Sequence, residues 1–272
     1  MEMILLNAKA AASSEAPQVA WSVVSFLTNK FSLTGAPFFA LIIGAVLLCM
    51  AIPYVLGSLN FAIIFSRLFF HDDIRKYGSG NAGATNMLRT YGKGPAAATM
   101  ILDMLKCVVS VFIGWLLLPV QAELVPDSAT FAYSFEPGFL AGFACILGHI
   151  FPCFYKFKGG KGVSSVAMLI VCTSPVVALI LFVCFVVIVA GTKFVSLASV
   201  MCMALYPIFL NALPFGFPFG AKGFPVIISI ITAALIIFMH RENIKRIYNG
   251  TESKISFSKK SKEDKETKSN EQ

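Results

Sequence analysis

The sequence is short of charge. Only 13% of its 272 residues are Asp, Glu, Lys or Arg, against 57% hydrophobic residues. Soluble domains run close to a quarter charged, so a water-facing surface cannot be built from this composition. The mean hydropathy of +0.78 agrees. Apolar runs recur along the whole chain, which excludes a single N-terminal secretory signal as their source. Cysteine pairing patterns are lacking too: seven cysteines occur singly, at positions 49, 107, 145, 153, 172, 184 and 202. With no CxxC, both a disulfide framework and a zinc site are disfavoured. The basic residues have no aromatic platform beside them, so the net charge of +8 points to positive membrane loops and not to nucleic acid. Internal repeats of the kind that mark many transporters are also missing.

What is present is a series of membrane-length runs. A helix needs roughly 20 apolar residues to cross the hydrocarbon. Residues 37–58, 95–119, 138–155, 195–214 and 223–240 qualify. The stretch 163–191 is long for one span and short for two, with Pro175 near its middle. Proline disfavours helix in the residue before it, here Ser174. Arg75, Lys76, Arg89 and Lys93 lie in one polar loop, Lys156, Lys158 and Lys161 in a second, and Arg241, Lys245 and Arg246 after the last run. The connection 120–137 has neither Lys nor Arg. The positive-inside rule therefore puts all three basic segments in the cytoplasm.

That parity requires 163–191 to cross zero or two times. Two short helices turning near Pro175 give an all-α polytopic protein of about seven spans, N-terminus outside and C-terminus cytoplasmic. A re-entrant hairpin over 163–191 satisfies the same parity. Residues 60–70 are expected to run helically along the cytoplasmic interface. Three regions follow: an N-terminal extension (1–34), a transmembrane domain (35–254), and a Lys/Glu/Ser-rich tail (255–272) expected to be disordered.

Three segments have the composition of a site. The first runs from Tyr77 to Arg89. Gly78, Gly80 and Gly83 allow close backbone approach, and successive N–H groups there can form an anion nest. Ser79, Asn81, Thr85 and Asn86 add neutral hydrogen-bonding groups, and Arg89 a planar cation suited to phosphate. The same glycines match GxGxxG, but a membrane helix precedes them where a dinucleotide fingerprint needs a strand, so a Rossmann reading is rejected. The second segment, 157–165, places Gly159, Gly160 and Gly162 around Lys161. It is similar to a P-loop, yet Gly162 stands where a magnesium-binding hydroxyl would be needed. Lys161 reads instead as an ammonium held against an anion by close backbone. In the third, His240 and Asn243 are three residues apart and share a helical face. A histidine beside phosphate-binding loops is a candidate base. Within the 95–119 run, Asp103 and Lys106 form a mutually neutralising pair, read as a brace beneath the site.

Taken together these segments resemble the bacterial acyl-phosphate:glycerol-3-phosphate acyltransferases, the PlsY family. The first is similar to its SGNxGATNxxR motif at Ser79, Gly80, Asn81, Gly83, Ala84, Thr85, Asn86 and Arg89. The second resembles GHxFP…FKGGKGVAT at Gly148, His149, Phe151, Pro152 and Phe157 to Val163. The third resembles H[RK]xN[IL]xR[LI]xxGxE at His240, Arg241, Asn243, Ile244, Arg246, Ile247, Gly250 and Glu252. Ser164 and Ser165 replace the usual Ala-Thr, and Asn60 a usual Pro.

The resemblance implies transfer of a fatty acyl group from acyl phosphate to the 1-hydroxyl of glycerol 3-phosphate. The products are lysophosphatidic acid and phosphate, in the first committed step of phospholipid synthesis. It implies direct transfer with no covalent acyl-enzyme, no metal and no cofactor, in the bacterial inner membrane with a cytoplasm-facing site. Catalytic roles would fall to His240, Lys161, Ser79 and Asn243. Gly80, Asn81, Gly83, Thr85, Asn86, Arg89, Gly159, Gly160, Gly162 and Ser199 would bind substrate, with Ser196 an alternative to Ser199. The partners implied are the two substrates and the lipid bilayer; the oligomeric state, a monomer included, is left open. A transporter of a phosphorylated metabolite is the competing reading. It should carry midplane polar residues, whereas here the polar groups gather at one face.

Overall fold

The structure, a computed structural model, describes residues 22–118, 136–212 and 223–255. Most of the N-terminal extension, the 120–137 connection and the tail expected to be disordered lie outside the described residues. Regular structure among the described residues is helical throughout: α1 (Val23–Phe31), α2 (Gly35–Ser58), α3 (Phe61–Phe70), α4 (Ala84–Tyr91), α5 (Lys93–Leu117), α6 (Pro137–Ile150), α7 (Val163–Thr173), α8 (Pro175–Thr192), α9 (Val195–Ala212), α10 (Phe224–Met239) and α11 (Arg241–Tyr248), with 3₁₀ turns at Ile74–Lys76 and Cys153–Tyr155.

Apolar composition and length explain the long helices. With no water in the hydrocarbon to satisfy peptide groups, a crossing segment must bond to itself, which a helix does. Gly35–Phe70, Lys93–Leu117, Pro137–Tyr155, Pro175–Thr192 and Val195–Ala212 are long and apolar enough to cross. Phe224–Met239 and Arg241–Tyr248 make a sixth if taken as one broken span, bent by 53°. The 163–191 stretch is two helices, as Pro175 implied: α7 ends at Thr173, Ser174 is non-helical, and Pro175 begins α8. At 11 residues, α7 rises about 16 Å, roughly half the hydrocarbon thickness. Outward faces carry large apolar side chains, such as Leu179, Phe182 and Val187 on α8, in keeping with a lipid surround.

The central helix is α6: twelve of its fourteen residues are buried. It packs on α2 and α5 because its contact faces are made of small residues. A Cβ at Gly57 would collide with the Cys145 carbonyl, and one at Gly148 with the Tyr54 carbonyl. A Cβ on Gly114 would approach the Pro137 carbonyl to 2.5 Å. Helices in lipid associate by such close backbone packing, there being no hydrophobic drive between them. A second apolar cluster joins α5 through α10 around Val166, Leu169, Tyr206 and Ile236. The result brings the C-terminal ends of α2, α6 and α10 together with the N-terminal ends of α5 and α7.

Gly148→Val should force α2 from α6 and lower stability by about 1–3 kcal/mol or more. Gly44→Ala, with nothing within 4 Å of its Cβ position, should leave stability unchanged. Thermal unfolding in detergent reads both.

Candidate functional site

The first motif folds around one side chain. Asn86, 1% exposed in the first turn of α4, accepts the Ser79 N–H at 3.0 Å. Its amide donates to the carbonyls of Tyr77 at 2.9 Å and Ile74 at 3.2 Å. A side chain at Gly78, where φ is +56°, would strike the Asn86 carbonyl oxygen. Asn86 therefore shapes the loop from inside. Ser79, Gly80, Thr85 and Arg89 are exposed around it, with Asn81 and Gly83 half-buried.

A charged bracket in the stretch just before this loop, whose pairing the sequence does not show, ties it to the second. Arg75 pairs with Asp73 at 2.7 Å and donates to the carbonyls of Tyr155 at 3.1 Å and Lys158 at 3.0 Å. Arg67 also reaches Asp73, at 2.9 Å, and lies 5.5 Å over the Tyr155 ring. Hydrogen bonds from Arg75 hold the Asp73 carboxyl well below the usual carboxylate range, so the bracket stays charged at neutral pH.

In the second motif the glycines are pressed against α6. The Gly159 and Gly160 N–H groups donate to the carbonyls of Ile150 and His149, each at 3.1 Å. Side chains there would collide with the His149 carbonyl and the His149 ring respectively. Gly162, at φ +81°, turns the chain into α7, whose first turn has no side-chain cap. Between these glycines Lys161 extends its ammonium to the Asn243 side-chain carbonyl. Burial lowers the Lys161 pKa from 10.5 to about 8; repulsion from Arg246 and Arg89 adds to this and Glu252 opposes it.

The third motif begins where α10 bends into α11. His240 Nδ1 is 2.7 Å from the Ile236 carbonyl. A carbonyl only accepts, so Nδ1 carries the proton, and in the neutral ring Nε2 keeps its lone pair. The Asn243 amide donates to Glu252 Oε1 at 2.7 Å. Glu252 also accepts from the Ser196 hydroxyl at 2.8 Å and from Arg246 Nε at 2.7 Å. Burial works to raise the Glu252 pKa, but these donors outweigh it and hold the carboxyl below its usual value. Beyond Glu252 the chain crosses the site: Arg89 donates to the Ser253 carbonyl at 3.5 Å, and the Ile255 N–H to Lys193 at 2.9 Å.

The three segments thus meet. Lys161 and Asn243 are in direct contact, with Arg246 and Arg89 near enough to act on the lysine. Of the two serines on α9, Ser196 joins the network, whereas the Ser199 hydroxyl bonds within its own helix to Val195 at 2.9 Å. One helical turn separates them, a distinction the motif alone does not resolve. Glu252 belongs to the third motif by sequence, but its place at the hub follows only from the fold. Among the described residues, the side chains of Ser79, Asn81 and Thr85 make no hydrogen bond to the other two segments.

Fold and site together define a helical membrane protein with a cationic, amide-rich site at one end of the bundle. A family model described as "Glycerol-3-phosphate acyltransferase" matches residues 47–250. The glycerol-3-phosphate acyltransferase of Thermoanaerobacter sp. (strain X514) is 39% identical over 204 residues, covering 75% of this chain and 92% of that one. Among solved structures the chain is similar to PlsY, an integral membrane glycerol 3-phosphate acyltransferase. Its glycerol 3-phosphate form superposes with a TM-score of 0.65 at 32% identity, covering 78% of this chain and 96% of that one. Its lysophosphatidic acid form gives 0.62 at 30%, covering 78% and 95%. The chain belongs to the glycerol-3-phosphate acyltransferase (PlsY) family.

Asn86→Ala should strand the three backbone groups it satisfies and cost on the order of 1–3 kcal/mol. Thr85→Ala, at an exposed hydroxyl, should be neutral. Unfolding midpoints check both.

Proposed function

We propose that this protein is an integral-membrane acyltransferase that moves a fatty acyl group from acyl phosphate to the 1-hydroxyl of glycerol 3-phosphate. The observation that carries the reading is the Lys161–Asn243 contact, where a glycine-rich loop meets the last helix, beside the Glu252 carboxylate that holds both Asn243 and Arg246. A half-buried ammonium whose partner is a neutral amide remains an anion site, and a phosphate dianion supplies what the amide lacks.

The chemistry follows from the donor. Acyl phosphate is a mixed anhydride, so its carbonyl carbon is already activated. The 1-hydroxyl oxygen bonds to that carbon, the bond from carbon to the phosphate oxygen breaks, and phosphate leaves as lysophosphatidic acid forms. The hydroxyl proton passes to His240 Nε2, the free nitrogen of that tautomer, or to a substrate phosphate. Among the described residues, neither His149 nor His240 is hydrogen-bonded to a serine or cysteine, which favours direct transfer without an acyl-enzyme. Ser79, Gly80, Asn81, Gly83 and Thr85 would hold the acyl phosphate on the loop that Asn86 shapes. Arg89, Lys161, Asn243, Ser196 and the Gly159–Gly160–Gly162 backbone would hold glycerol 3-phosphate, with the α7 N-terminus turned toward negative charge.

The proposed setting is the bacterial inner membrane, with seven crossings, the N-terminus outside, and the site and C-terminus in the cytoplasm. The basic loops support that orientation. The short α7 then crosses only as a pair with α8. The acyl chain would lie among the helices, entering from lipid.

Detergent-solubilised protein given palmitoyl phosphate and glycerol 3-phosphate should yield phosphate and lysophosphatidic acid together. Lys161→Ala and His240→Ala should stay folded and lose about 10²–10³ in rate, the scale of a lost transition-state donor or proton acceptor. Protein that binds glycerol 3-phosphate yet yields no product would move the transporter reading ahead. The pH dependence has a definite sign. Below about pH 8 free Lys161 is charged; above it the free protein loses a proton that the phosphate complex retains. The KM for glycerol 3-phosphate should therefore be level near neutrality and rise as pH climbs through 8, by at most about tenfold per unit. Lys161→Arg, which does not deprotonate, should remove that rise.

A further inference from the structure

His149 lies in the second motif but has no part in the transfer scheme. It is 2% exposed, at the C-terminal end of α6, and sits on a buried ion pair. Asp103 and Lys106 are 2.8 Å apart. Lys106 also donates to the carbonyls of Gly57 at 3.0 Å and Leu59 at 2.7 Å, where α2 ends, and the Phe61 ring lies 5.7 Å from the ammonium. His149 Nδ1 faces this ammonium at 3.0 Å and Asp103 Oδ1 at 3.5 Å.

The tautomer follows from the inventory of donors. A proton on Nδ1 would point at the ammonium 3.0 Å away, nearer than the Asp103 carboxylate at 3.5 Å, so the ring turns its lone pair toward Lys106, whose three N–H groups are shared among Asp103, Gly57, Leu59 and this nitrogen. The ring proton is then on Nε2, at the opposite edge. That edge faces the second loop. A Cβ on Gly160 would fall on Nε2 and lie 2.7 Å from the Ala82 carbonyl. Ala82 is in the first loop, and its carbonyl accepts from Asn60 Nδ2 at 3.3 Å. The Gly160 N–H is bonded to the His149 carbonyl at 3.1 Å. Gly160 is thus held by the backbone of His149 on one side and walled by its ring and by Ala82 on another. The next residue is Lys161.

We propose that His149, fixed in the Nε2–H tautomer by the Asp103–Lys106 pair, is a positioning residue that sets the height of Gly160, and hence of Lys161, against the first loop. The ion pair anchors the ring to α2 and α5, and the ring carries that anchorage to the second glycine-rich loop at Gly160, which lies between it and Ala82 of the first. Asn60, where the family usually has Pro, secures the other side of the same carbonyl. The inference rests on the acyl-transfer reading for its kinetic consequence, though its structural part stands apart from it. Displacing a reacting group by 1 Å can cost about 10²-fold in rate, so a wall at this place governs activity without touching substrate.

The test pairs a spectroscopic readout with kinetics on the full chain in detergent. In wild-type protein labelled with ¹⁵N-histidine, His149 should show a protonated Nε2 and a bare Nδ1, and Lys106→Met should release that preference. His149→Leu, which fills the space without the ring's polar edges, should raise the KM for glycerol 3-phosphate about tenfold and lower kcat while leaving the KM for palmitoyl phosphate within twofold. His149→Gln, which can return a donor to the Nε2 position, should recover part of the loss. An Nδ1–H tautomer or an imidazolium in the wild type overturns the proposal, even if His149→Leu fails to fold. So does a folded His149→Leu protein with wild-type kinetics, or with both KM values raised alike. If wild-type protein makes no lysophosphatidic acid while the Nε2–H tautomer is found, the acyltransferase reading fails and the structural part of the proposal survives.

Discussion

The hydrogen bond from the Lys161 ammonium to the Asn243 side chain joins residues 82 positions apart, and the rest of the site exists to bring its two ends together. Lys161 is delivered by a loop whose glycines are fastened to the last carbonyls of α6. Asn243 is oriented by Glu252, which Ser196 and Arg246 hold in turn. A neutral amide is a weak partner for a half-buried cation. Burial and two neighbouring guanidinium groups leave the ammonium poorly compensated, which the lowered pKa of about 8 records. Such a group gains most from an arriving dianion, which is why this lysine is the phosphate contact we propose.

The membrane imposes the second constraint. Irregular backbone is tolerated only where it is buried in protein or reaches water. Accordingly the glycine-rich loops gather at helix ends, and their polar groups are satisfied by neighbours. Asn86 serves three backbone groups of the first loop, and the Asp73–Arg75 bracket serves two carbonyls of the second. Below them Asp103 and Lys106 form a buried pair whose charges cancel, and Lys106 also caps the end of α2. Small residues between α2, α5 and α6 let these helices approach closely enough for one lysine to touch three of them.

Much of this could be read from the chain, because the signals are local. Membrane-length apolar runs mark the long helices, and Ser174–Pro175 marks the break between α7 and α8. Three motifs identify the segments that meet, and a spacing of three residues pairs Asp103 with Lys106. What escaped depends on contacts between distant segments. Asn86 looks like a ligand group in sequence, but the fold turns its amide inward. Ser196 and Ser199 are one turn apart, and only the direction of α9 separates the one facing Glu252 from the one bonded to Val195. The arginine bracket and the place of His149 above the ion pair have no periodicity to announce them. Span counting met a physical limit too, since an 11-residue helix such as α7 has the composition of a crossing helix without its length.

The central claim is that two substrates react directly, with the protein supplying position and charge and no covalent bond. A single-turnover experiment tests it: protein in excess over palmitoyl phosphate, followed by rapid quenching and intact-mass analysis, before and after glycerol 3-phosphate is added. The account predicts unmodified protein and no burst of phosphate before the addition, then phosphate and lysophosphatidic acid rising at a single rate. A stoichiometric release of phosphate with acylated protein, before any acceptor is present, would contradict it.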